Sequence, residues 1–76
     1  LKEKRMVVKS LLGKIRSRYA VSAAETEEQD IHQTIVIGVA AIVAHAAQAD
    51  GLMDDILALV ENSTEAEIVS VEREIR

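Results

Sequence analysis

Lys2, Arg5, Lys9 and Arg16 recur along the opening segment at spacings that bring them onto one face of a helix. Phosphate oxygens are bound well by cations spaced regularly on a rigid support. Each such contact also releases a condensed counterion, and arginine can fork onto a phosphate. The chemistry these four side chains suggest is therefore contact with an anionic partner. The alternative is a solvated helix face whose charges pair with neighbouring acids, such as Glu3 or the acids of residues 72–76.

Other constellations are weaker. His32 and His45 are the only histidines, and a metal site would need them to converge with a carboxylate such as Glu25 or Asp30. They fall toward opposite ends of an expected strand, which rises about 3.3 Å per residue, so convergence within one chain is poor. Asp50 and Asp54 share a helix face one turn apart, with Asp55 beside them. Hard cations prefer more oxygens in a loop, so favourable placement toward a helix N-terminus explains these acids better. Glu25 and Asp30 flank a turn and read as hairpin solvation. There is no cysteine, the serines sit in no nucleophile elbow, and Gly13, Gly38 and Gly51 are isolated rather than clustered into a phosphate loop. The expectation is a protein that is not an enzyme, with no metal, no cofactor and no small-molecule substrate.

Charge is unevenly distributed around these residues. Seven of the nine Lys and Arg lie in residues 2–18 against one acid, Glu3, a local net of +6. The remaining residues carry −10, which gives the overall −4. Such a split marks a surface suited to a polyanion or an acidic partner, and the acidic remainder requires any such contact to be local. Tyr19 is the one aromatic residue, so sequence-specific readout by base stacking is not expected. Contact through backbone or shape remains open.

The elements that would position these groups follow from periodicity. At 100° per residue, Val7, Val8, Leu11, Leu12, Ile15 and Tyr19 fall in one sector about 140° wide, which predicts a core-facing helix over 2–18. Lys2, Arg5, Lys9 and Arg16 form a stripe about 60° wide beside it. Gly13 lies on the solvent side, where no packing demand accounts for it and where it costs about 1 kcal/mol relative to alanine. Residues 20–26 alternate, Val21, Ala23 and Glu25 against Ser22, Ala24 and Thr26, and predict a strand. Residues 27–30 read as a polar turn. Residues 33–43, QTIVIGVAAIV, predict a strand covered on both faces, with Gly38 marking a bulge or a close backbone approach. Helical spacing returns over 47–61, with Ala49, Leu52, Met53, Ile56 and Val60 in one stripe, and residues 62–64 as the stop. Residues 67–73 predict a last strand.

The order helix, strand, strand, helix, strand is α+β. A further strand ahead of residue 1 would complete a βαββαβ unit. The most apolar run, residues 35–44, is half the ~20 residues a membrane helix requires. No secretory signal is visible, and a cytoplasmic protein without membrane contact is expected.

The segment LKEKRMVVKSLLGKIRSRYAVSAAE, then Asp30, the IGVA of residues 37–40 and the closing VEREI of residues 71–75 resemble the YlxP-like bacterial proteins, a family of unknown function. The resemblance covers essentially the whole chain. It implies a ferredoxin-like βαββαβ fold, with an antiparallel sheet, two helices on one face and a first strand preceding the LKEKR segment. The reading is then one domain over residues 1–76 that is N-terminally incomplete, consistent with a start at Leu1 rather than Met. Relatives often carry Trp in place of His32 and Asn-Asp near Ala44-His45. The loss of a capping side chain at Ala44 would cost about 1 kcal/mol. Relatives' genes tend to lie beside those of transcription, translation-initiation and ribosome-assembly factors. The resemblance thus implies a ribosome- or RNA-associated accessory role, with ribosomal RNA or ribosome-assembly proteins as partners and the basic first helix as the contact. The rival expectation is a homo-oligomerising module, a dimer through the apolar 35–44 segment, without nucleic-acid binding.

Overall fold

The structure is a computed structural model that describes residues 2–27, 34–64, 68 and 70–75. Its order is α1 (Lys2–Arg18), β1 (Ser22–Glu27), β2 (Val36–Ala40) and α2 (Ala46–Ser63). This is an α+β chain with its first four elements in the expected order. It divides into two compact units, Leu1–Ile42 and Val43–Arg76.

In the N-terminal unit, α1 buries Val8, Leu11 and Ile15, with Ile15 wholly enclosed. Val7, Leu12 and Tyr19 are half-buried at the margins of that stripe. The helix packs against β1. β1 follows the predicted alternation: Ala23 is buried, Val21 and Glu25 are half-buried, and Ser22, Ala24 and Thr26 are exposed. Antiparallel pairing sets Ser22 opposite Ala40, Ala24 opposite Gly38 and Glu25 opposite Ile37. The register shifts between Glu25 and Glu27, leaving Thr26 as the extra residue of a bulge.

Gly38 has its explanation here. A Cβ built on Gly38 would lie 2.7 Å from Thr26 Cγ2. The bulge on β1 brings that methyl over β2, and only a residue without a side chain admits it at van der Waals distance.

Two strand expectations need correction. β2 is shorter than the apolar run that predicts it, and it is not covered on both faces. Val36 to Val39 are half-buried, Ala40 is exposed and Ile42 is fully exposed. β2 pairs only with β1 among the described residues, and the run's hydrophobicity continues past the last ladder partner. The predicted strand at 67–73 lies partly outside the described residues, and Ile68 and residues 70–73 form no strand. A strand exists through its ladder, and these residues have no ladder partner among the described residues. The predicted turn beyond Glu27 also lies outside the described residues.

In the C-terminal unit, α2 buries Ile56 and Leu59 and half-buries Ala49, Leu52, Met53 and Val60. Leu59 extends the predicted stripe, three residues after Ile56. The N-cap is His45, extended at φ −141° and ψ 150°, with no side-chain cap. Ala44, expected at the cap, lies one residue outside it. Its N–H donates to Gln48 Oε1 at 3.0 Å, much as the N3 residue of a capping box reaches back. The helix ends at Ser63, before the extended Thr64.

Candidate anion-binding face of helix α1

The long first helix supports a row of charges because its inner stripe is anchored against β1. Lys2, Arg5 and Lys9 are exposed on the helix surface. None of the ion pairs among the described residues engages them. Lys14, on the other flank of the apolar sector, and Arg18, in the last turn, are exposed as well.

Arg16 behaves differently from the other members of its predicted stripe. Its Nε donates to the backbone carbonyl of Ala23 at 3.1 Å, and its Nη2 donates to the same oxygen. Both bonds are partly buried. The charge is still at the surface, but the side chain is held by β1. Arg16 therefore belongs to the joint between helix and strand as well as to the cationic row.

Sequence reasoning missed one more cation. Lys4 is only 6% exposed, as buried as the aliphatic residues around it. Its Nζ lies 3.6 Å from Glu25 Oε2, with the two side chains 4% and 20% exposed. Glu25, expected to solvate the hairpin, is instead the inward partner of a buried ion pair. The signal was present in the sequence. At 100° per residue, Lys4 falls within the sector of Val8, Leu11 and Ile15. Glu25 falls on the strand face of Val21 and Ala23. A cation and an acid on facing apolar surfaces must meet, because neither is stable there alone.

Among the described residues, the remaining candidates do not converge into a second site. His45 is an exposed N-cap, and His32 lies outside the described residues, as does Asp30. No group of three or more His, Asp and Glu that could hold a metal occurs among the described residues. The aspartates of α2 have a different explanation from the one expected. Asp50 and Asp54 lie beyond the first turn, where the helix dipole acts weakly. They flank Arg73 instead: Arg73 Nη2 donates to Asp54 Oδ1 at 2.9 Å, and Nη1 lies 3.6 Å from Asp50 Oδ1. No helix among the described residues is long and apolar enough to cross a membrane.

Fold and site together define a small α+β protein whose distinguishing feature is a helix with an anchored inner face and a cationic outer one. The comparisons identify its family. Residues 1–73 match the model of DUF503, a protein family of unknown function, and the chain belongs to that family. It is similar to the uncharacterized protein YlxP of Bacillus subtilis (strain 168), with 33% identity over 67 residues, covering 88% of this chain and 73% of that protein. No solved structure matches.

Proposed function

We propose that this is a non-enzymatic, cytoplasmic accessory protein that associates with ribosomal RNA or ribosome-assembly particles through α1. The observation that carries the reading is the division of labour among the cations of this helix. Lys4 is buried against Glu25 and Arg16 is held by Ala23, whereas Lys2, Arg5 and Lys9 are exposed on one side. An anchored helix presents its free charges without further ordering, which lowers the entropic cost of binding. Neutralising phosphates with such side chains makes binding salt-dependent.

The test is charge reversal at Arg5 and Lys9 with binding to ribosomal particles measured across a salt series. The Arg5→Glu/Lys9→Glu variant should bind at least tenfold more weakly and lose about 0.7–0.9 of salt slope per cation removed. Unchanged binding, or binding indifferent to salt, ends the proposal. Light scattering on the same samples addresses the homo-oligomer reading, which the fully exposed Ile42 beside β2 favours. A salt-insensitive dimer without affinity for nucleic acid would establish it instead.

A further inference from the structure

Arg16 shares a stripe of α1 with Lys2, Arg5 and Lys9, but the fold holds its head group in place. Its Nε and Nη2 both donate to the Ala23 carbonyl of β1. A carbonyl accepts hydrogen bonds without cancelling the charge, and no carboxylate pairs with Arg16 among the described residues. Arg16 as a whole is exposed. Lys2, Arg5 and Lys9 are exposed too, and no ion pair among the described residues fixes them.

The guanidinium is planar, with five N–H donors in a fixed fork. Nε–H and one N–H of Nη2 form its side edge, and the Ala23 carbonyl occupies that edge. The other N–H of Nη2 and the adjacent N–H of Nη1 point in parallel from a different edge of the same plane. Two parallel donors match two oxygens of a phosphate. Because Arg16 is already oriented by β1, a phosphate meeting this second edge has one side chain fewer to order. Lysine carries three donors around a point charge and cannot hold a carbonyl with one edge while forking onto a phosphate with another.

We propose that Arg16 grips one phosphodiester group of the RNA partner through a bidentate contact from the guanidinium edge that Ala23 leaves open. This rests on the RNA reading above and assigns unequal parts to its cations. Arg16 fixes where the strand sits, and Lys2, Arg5 and Lys9 supply charge that any cation could supply. Arg16 stands about 10 Å from Lys9 along the axis at 1.5 Å per residue, so the fixed contact and the looser ones meet different phosphates. β1 takes part in recognition without touching the partner, by aiming Arg16.

Charge-preserving substitutions make the test, with labelled ribosomal RNA as the probe and circular dichroism to show that each variant is folded. Arg16→Lys should bind about fivefold more weakly and Arg5→Lys within about twofold of the parent, both with the parent's salt slope because no cation is removed. NMR of the guanidinium groups reads the same contact in the parent chain: on adding RNA, the Arg16 Nε–H resonance should stay in place while its Nη resonances shift. A purely structural role would lower Tm in Arg16→Lys and leave binding within twofold of the parent, which overturns the inference while the RNA reading stands. Equal weakening by the two variants overturns it in the same way. If Arg16→Lys does not fold, the spectra decide, and Arg16 Nη resonances unmoved by bound RNA overturn the inference. If polyglutamate displaces the RNA at equal charge, the fork takes carboxylates and the phosphodiester assignment is wrong. If the parent binds no RNA, the RNA reading falls and this inference with it.

Discussion

The two units use ion pairs in opposite ways. In the N-terminal unit, Lys4 and Glu25 meet at 3.6 Å with side chains 4% and 20% exposed. In the C-terminal unit, Arg73 reaches Asp54 at 2.9 Å, the shorter contact, but the side chains are 39% and 69% exposed. Distance alone would rank the second pair as the stronger. Burial reverses the ranking for a variant that removes one partner. A buried charge left alone has lost its water and gains nothing in return, whereas an exposed one is rehydrated and screened.

The sharpest way to break this contrast is Glu25→Ala, which removes the ion-pair partner of Lys4 on the buried face of α1. The expected loss is about 3 kcal/mol in urea unfolding, at the lower end for a buried pair because Glu25 retains some solvent contact. That is a large fraction of the stability of a chain this small. The double variant Lys4→Met/Glu25→Leu should recover most of it, since apolar residues of similar volume can replace a buried pair at little cost. A single variant as stable as the parent would show that Lys4 escapes to water.

Gly38→Ala should cost about 1 kcal/mol, because its Cβ would press on Thr26 Cγ2. Adding Thr26→Ala should relieve much of that loss, and additive costs in the double-mutant cycle would show that the two residues do not touch. The smallest effect belongs to the C-terminal unit. Arg73→Ala should lower stability by about 0.5 kcal/mol at low salt and by almost nothing at 1 M salt. A larger, salt-resistant loss would place Arg73 in the same class as Lys4.

The helices were the most legible part of the fold. The predicted span 2–18 is that of α1, and 47–61 falls within α2 (Ala46–Ser63). Their signal is local, a repeat of apolar side chains about every 3.6 residues. The strands were legible in kind but less so in extent. The predicted 33–43 shrinks to Val36–Ala40, and residues 70–73 form none at all. A strand is delimited by its ladder partner, which periodicity within one segment does not reveal. Among the site residues, the exposed positions of Lys2, Arg5 and Lys9 could be read from the wheel. The attachment of Arg16 to Ala23 could not, because it depends on where β1 returns after Tyr19.

The amino-acid order alone determined the two helices, the alternation of β1, the concentration of positive charge at the start of the chain and the family to which the chain belongs. These follow from nearest neighbours along the chain or from residue identities. Only the tertiary structure decided what the inward and anchored cations meet, Glu25 for Lys4 and the Ala23 carbonyl for Arg16. Lys4 and Lys9 are the same residue type on the same helix, five positions apart. One faces β1 and meets Glu25, and the other faces water. The physical reason is that the energy of a charge depends on the dielectric around it and on its nearest opposite charge. Both are set by segments that lie far apart in the sequence.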